Sequence, residues 1–169
     1  MKTSHEILLS DSRDLSVLQD ESVDLVVTSP PYPMIQMWDE LFCSMSEEVK
    51  QALAVEDGDR AFELMHLELD KVWRELYRTA KEGSFVCINI GDAVRTVGGK
   101  FQLYSSHSRI ISACKAAGFD VLPAVIWRKQ TNAPNKFMGS GMLPAGAYVT
   151  LEHEYILIFR KGNKRIFKD

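Results

Sequence analysis

An α/β fold built on a mostly parallel sheet is the class this sequence predicts, and three observations point to it. First, residues 23–27 (Val-Asp-Leu-Val-Val) form a short apolar run that reads as a buried parallel strand. Second, residues 61–80 carry apolar side chains at three- and four-residue steps, and another apolar run follows at 84–90. Third, the helix-then-strand order returns at 103–117 and 119–127. Strands separated by crossover helices lie side by side and parallel. A last apolar run at 150–160 is reached without a clear helix, so it and the strand before it are expected to be antiparallel neighbours.

Taken in order, residues 5–11 (His-Glu-Ile-Leu-Leu-Ser-Asp) read as a short strand, 14–19 as a brief helix or turn and 20–22 as a turn. The run at 23–27 then meets Thr28-Ser29-Pro30-Pro31-Tyr32. Neither proline can donate to a sheet ladder, and each holds φ near −65°, so the strand must stop there. Ser29 and Pro30 each precede a proline and are pushed to extended geometry. The product is a stiff tetrapeptide at the carboxyl end of a strand, the edge where open α/β sheets bind ligands.

Residues 33–45 are roughly amphipathic and read as a loop entering a helix, with Trp38 either in the core or walling a pocket. Residues 46–60 are polar and acidic and read as a surface connection. In the helix at 61–80 the stripe is Phe62, Met65, Leu69, Val72, Trp73, Leu76 and Tyr77, a packing face, and Gly83 suits the position after its end. Asn89 stands inside an apolar run, and a buried amide needs partners; it either cross-links loops or faces a ligand pocket. Residues 96–100 read as a glycine-bearing loop, Gly118 closes the helix at 103–117, and Pro123 favours a sheet edge for the strand at 119–127. Residues 128–149 make a loop rich in Asn, Pro and Gly, and loops this long in a compact domain usually carry function.

The 169 residues suit a single domain, 1–169, with 46% hydrophobic and 25% charged residues, which excludes disordered and fibrous classes. The net charge of −3 does not announce a nucleic-acid binder, but a local basic face suffices for one. Basic residues concentrate late, at Arg128, Lys129 and Lys136 and from Arg160 onward. Cys43, Cys87 and Cys114 are far apart and form no CxxC or CxxH pair, so neither a disulfide framework nor a metal site is indicated. No signal-peptide pattern opens the chain, and no apolar run reaches the roughly 18 residues of a membrane span. A cytoplasmic location without membrane association is therefore expected.

Ser29-Pro30-Pro31-Tyr32 resembles motif IV of the amino-group DNA methyltransferases, (D/N/S)-P-P-(Y/F/W), and the serine-first form is similar to the cytosine-N4 branch. The resemblance extends over nearly the whole chain. Residues 152–162 (Glu-His-Glu-Tyr-Ile-Leu-Ile-Phe-Arg-Lys-Gly) look like the family's late strand, and 127–136 like its DNA-facing loop. It implies a Rossmann-like methyltransferase sheet, mostly parallel with one antiparallel strand. It also implies S-adenosylmethionine as methyl donor, double-stranded DNA as partner, and a place in restriction-modification. The order of elements resembles the circularly ordered type with the catalytic half first. In that type the acid after the first strand lies near the cofactor's adenine side, and Asp11 is the matching residue, although a turn aspartate explains it equally well.

Phe137-Met138-Gly139-Ser140-Gly141 matches the family's F-x-G-x-G cofactor string, but no hydrophobic strand precedes it and Pro144 blocks a following helix, so it reads as loop. No other cofactor motif is present. The cofactor strands would begin where the chain stops, at Asp169, so the sheet is expected to be incomplete. A truncated chain or one subunit of a split enzyme fits, needing a complementary cofactor-binding half; alone, such a sheet exposes edges and favours self-association, including a homo-oligomer.

The mechanism that the resemblance implies starts from base flipping. The Ser29 side chain and Pro30 carbonyl accept the amine hydrogens, with Pro31 helping to fix them in advance. Tyr32 stacks on the ring, worth ~1–3 kcal/mol. Arg128, Lys129 and Lys136 are candidate phosphate contacts, with solvated surface cations as the equal alternative. An adenine-N6 enzyme and an inactive DNA-binding or partner-binding remnant stay open as readings.

Overall fold

The structure, a computed structural model, describes residues 2–129 and 151–165. Its main sheet has four strands: β1 (Val23–Thr28), β2 (Ala80–Ile90), β5 (Phe119–Arg128) and β6 (His153–Lys161), in the order β1-β2-β6-β5. β1 and β2 pair parallel, and β6 pairs antiparallel with both β2 and β5. Three strands therefore run one way and the last is reversed between two of them, an α/β fold with the expected antiparallel final pair. Pro123 sits on the edge strand β5, inside a break of register between Leu122 and Val125, where its missing N–H does no damage.

The long helix α3 (Gly58–Thr79) forms because its apolar stripe closes on a period near 3.6 and because its first turn is capped: the Asp57 carboxylate accepts the Arg60 N–H at 3.0 Å. Ala61, Met65, Leu69 and Trp73 lie on its buried side. Helix α4 (Ser106–Ala117) ends at Gly118, whose φ of 113° only glycine adopts without strain. These helices share one hydrophobic cluster with the sheet face that carries Val86, Ile88, Ile90, Leu157 and Phe159.

The opposite sheet face is open. Register puts Leu25 beside Phe85, Val27 beside Cys87, and Cys87 beside Ile158 on that face. Leu25 is 58% exposed, Val27 74% and Phe85 42%, far from the burial such side chains usually reach. Among the described residues no helix is long and apolar enough to cross a membrane.

Several local expectations are corrected. Residues 5–11 are not a strand; the segment from Asp11 to Ser22 instead runs along α3. Arg13 binds Glu68, Leu15 N–H binds Glu75, and Arg78 binds Asp20 and the Leu15 and Leu18 carbonyls. Among the described residues the apolar run at 7–9 pairs with no strand. Residues 46–60 are not a plain connection, because α2 (Glu47–Ala54) follows α1 (Asp39–Met45) there and buries Val49 and Ala52. Gly83 does not end α3; it lies within β2 with a φ of 74°. The helix expected from 103 starts at Ser106, because Lys100–Tyr104 is strand β4, paired antiparallel with β3 (Ala93–Val97). The glycine-bearing loop is the tip of that hairpin, with Gly98 and Gly99 both at positive φ.

Candidate active site

The carboxyl ends of β1, β2 and β5 and the start of β6 meet at one edge of the sheet, and five polar side chains, those of Ser29, Tyr32, Asn89, Lys129 and Glu154, converge there. Residues 29–32 leave β1; Asn89 lies near the end of β2; Lys129 follows β5; Glu154 is the second residue of β6. The Tyr32 hydroxyl lies 3.0 Å from Glu154 Oε2 and 3.3 Å from Ser29 Oγ. Asn89 Nδ2 donates to the Tyr32 hydroxyl at 2.8 Å and to Glu154 Oε2 at 2.6 Å. Lys129 Nζ lies 3.1 Å from Glu154 Oε1 and 3.9 Å from the centre of the Trp127 ring.

Local chain chemistry explains the convergence. Residues 30 and 31 turn the chain out of β1 without ladder donors, and Met34, at a φ of 65°, returns it to the core. Gly91 then admits the tyrosine: a Cβ there would stand 3.2 Å from both Tyr32 Cε2 and Glu154 Cγ.

The electrostatics follow from who donates. Burial pushes the Glu154 carboxyl up, but hydrogen bonds from Asn89, Lys129 and Tyr32 outweigh it, and the group ends below the ordinary carboxylate value. Burial raises the Tyr32 phenol above its ordinary value, and the Glu154 charge adds to that. The pair is thus an ionised carboxylate facing a protonated phenol.

Ser29 has a second neighbourhood. With Thr28, Pro30 and Pro31 it walls a cavity of about 430 Å³, whose other side is Asp11, Ser12 and Arg13 from the N-terminal segment. Leu69, Val72 and Trp73 of α3 and Leu41 and Met45 of α1 make its apolar floor. Hydrogen bonds from Arg13 lower the Asp11 carboxyl from its usual range, and the same guanidinium reaches Glu68 at 2.6 Å. An apolar slot with carboxylate, hydroxyl and guanidinium groups at one rim fits a ligand that joins a flat ring to charged groups.

The structure therefore brings Ser29, Pro30, Pro31 and Asp11 to one cavity, and Ser29 and Tyr32 to one hydrogen-bonded cluster. Arg128 stays apart, with its side chain 86% exposed. Lys129 faces inward to Glu154. Lys136 and the glycine string at 137–141 lie outside the described residues. Trp38 packs against the main core. Asn89 cross-links Tyr32 to Glu154, one of the two roles its place in an apolar run suggests. Glu154 itself carries no such signal, because its partner Tyr32 is 122 positions away.

Comparison with known proteins gives this arrangement a family. The family model for DNA methylase (N6_N4_Mtase) matches residues 23–169. The type II methyltransferase M.MthZI of Methanothermobacter thermautotrophicus is 56% identical over 99% of this chain, which covers 48% of that relative. M.MjaI of Methanocaldococcus jannaschii is 49% identical over 98% of this chain and 58% of its own length. The chain thus spans about half the length of the curated relatives it matches. Among solved structures, the Thermus thermophilus protein TTHA0409 in complex with S-adenosyl-L-methionine superposes with a TM-score of 0.69 and 30% identity, covering 95% of this chain and 57% of that one. The cytosine-N4-specific PvuII DNA methyltransferase shares the fold with a TM-score of 0.61 at 16% identity, over 92% of this chain and 49% of its own. The chain belongs to the N6/N4 DNA methylase family.

Proposed function

We propose that this chain is the base-binding half of a DNA methyltransferase that acts on the exocyclic N4 of a flipped-out cytosine in double-stranded DNA. The observation that carries this is the double membership of Ser29, which walls the cavity and also belongs to the Tyr32 cluster. When bound, S-adenosylmethionine supplies a methyl group activated by its sulfonium. Asp11, Ser12 and residues 28–31 would hold it, against the apolar floor of the cavity.

The chain's own residues then prepare the acceptor. Ser29 Oγ and the Pro30 carbonyl accept the amine hydrogens, which draws the nitrogen lone pair out of ring conjugation. Pro31 stiffens that acceptor pair before the base arrives. Tyr32 presents a ring face for stacking. Serine in the first position of the tetrapeptide favours cytosine over adenine. Arg128, exposed at the end of β5 with Glu152 3.9 Å away, would meet a phosphate. A complementary cofactor-binding half would add strands at the open edge of β1 and cover the exposed face that carries Val27 and Phe85, which supports a split or longer enzyme.

The test pairs this chain with a separately expressed remainder of M.MthZI and follows labelled methyl transfer to DNA, with digestion to nucleosides. N4-methylcytosine is the expected product. N6-methyladenine would move the enzyme to the other amino-group branch. Absence of transfer, or transfer that survives Ser29→Ala combined with Tyr32→Ala, would overturn the reading.

A further inference from the structure

We propose that Glu154 is a positioning residue for Ser29, acting through Tyr32: it fixes the direction of the hydrogen-bond chain so that the lone pairs of Ser29 Oγ stay free for the incoming amine. This rests on the reading of Ser29 as amine acceptor.

A count of donors sets the direction. A serine hydroxyl rotates to suit its partner, so left alone it donates as readily as it accepts. Here its orientation is imposed from a distance. Glu154 as a carboxylate only accepts, and an amide nitrogen or an ammonium only donates. Asn89 Nδ2 gives one hydrogen to Glu154 and one to the Tyr32 oxygen. The single Tyr32 hydrogen therefore has one acceptor, Glu154 Oε2 at 3.0 Å. The remaining lone pair of Tyr32 faces Ser29 Oγ at 3.3 Å and takes the serine hydrogen. With its hydrogen committed, Ser29 presents only lone pairs elsewhere.

Two further observations support the direction. Lys129 occupies the other Glu154 oxygen, so three donors converge on one carboxylate. Among the described residues Asn89 Oδ1 is buried without a partner, yet the flipped amide would set that oxygen against the carboxylate, so the orientation is forced. Glutamine cannot replace Glu154, because it has one oxygen for three donors. The Lys129 ammonium claims that oxygen at the Oε1 place, so the N–H group takes the Oε2 place and faces both Asn89 Nδ2 and the Tyr32 hydroxyl, of which only the hydroxyl can turn and accept.

The experiment uses the paired enzyme and compares wild type with Glu154→Gln, Glu154→Asp, Tyr32→Phe and the Glu154→Gln/Tyr32→Phe double variant. Single-turnover methyl transfer should fall about 10–100-fold in Glu154→Gln with the KM for DNA unchanged, the size expected for a lost charge-assisted hydrogen bond. Glu154→Asp, which keeps two acceptor oxygens, should recover part of the rate. Glu154→Gln should add little to Tyr32→Phe, because both act on one chain of bonds. The readout besides turnover is the alkaline near-ultraviolet titration of Tyr32, taken as the difference from Tyr32→Phe. It should move down in Glu154→Gln, as the carboxylate charge that opposes tyrosinate is gone. Wild-type rate in Glu154→Gln, additive losses in the double variant, or an unmoved Tyr32 titration each overturn the inference and leave the methyltransferase reading standing. No transfer by wild type overturns both.

Discussion

Asp92 and His107 are joined twice. The Asp92 carboxylate accepts the His107 backbone N–H at 3.0 Å and lies 2.7 Å from the ring Nδ1. The residue at the N-terminal boundary of α4, Ser105, makes no side-chain cap, so Asp92 supplies that cap from just beyond β2. The ring it holds stacks on Tyr155 of β6 with centroids 4.0 Å apart.

Removing this remote cap has a defined cost. Asp92→Ala should destabilise the chain by about 1–2 kcal/mol, the range for a lost helix cap. That corresponds to a drop in Tm of about 3–6 °C at this size. Asp92→Asn keeps an acceptor for the backbone N–H and should lose less. Thermal melts of the three proteins check the order.

Gly91→Ala is expected to separate placement from stability. Its new methyl would press on Tyr32 and Glu154 at 3.2 Å, so one of them must move by a few tenths of an ångström. The backbone there needs no positive φ, so denaturant midpoints should barely change. Methyl transfer by the paired enzyme should fall about tenfold, since small misplacements are costly when a reacting group must be pre-positioned. Equal rates would show that the tyrosine has slack.

His66 makes stability depend on pH. It is fully buried beside Phe62, neither ring nitrogen is bonded among the described residues, and burial, with Arg109 nearby, depresses its pKa from 6.5 to about 3. Below pH 6.5 the unfolded chain takes up a proton that the folded chain refuses until about pH 3. The histidine's contribution is therefore complete above 6.5 and lost as pH falls toward 3, at up to about 1.4 kcal/mol per pH unit. Urea unfolding at stepped pH should show this slope in wild type and a flatter one in His66→Leu. Identical slopes would mean that the ring is protonated in the fold.

The open sheet face can be watched through its cysteine. Burial raises both thiols, but Cys87 lies on that face between Val27 and Ile158 and is half-buried, whereas Cys114 is fully buried. A maleimide should label Cys87 in the chain alone and leave Cys114 unmodified until denaturation. Adding the complementary half should slow labelling of Cys87 and spare Cys43, which sits on α1. Unchanged labelling of Cys87 in the active pair would place the partner elsewhere.

What could be read in advance depended on whether a residue's partner was near in sequence. The strand at Val23–Thr28 and its stop are local facts, fixed by an apolar run and two prolines. So are the stripe of α3 and the glycine that ends α4. The helix α2 was hidden because only Val49 and Ala52 mark its inward side amid acidic residues. The pair Gly98-Gly99 is a hairpin signal in its own right, but the residues around it alternate too weakly to read as strands. The apolar run at 7–9 shows the opposite failure, for a strand pattern means nothing without a neighbour to pair with. In the candidate site, Ser29 to Tyr32 were legible as a motif and Asn89 as an anomaly. Glu154 acquires its place only when β6 folds back beside β2.

That fold-back sets a timetable. β6 is the last of the four strands to leave the ribosome, yet it lies between β2 and β5, and among the described residues β5 joins the main sheet through β6 alone. Until Lys161 is made, β1 and β2 wait as a two-stranded parallel pair, and β5 has nothing to join. Long-range pairing of this kind is slow, and the edges it leaves bare in the meantime invite wrong partners. These four strands are thus joined by insertion rather than by extension, and the strand that brings Glu154 to the site is also the one that locks them together.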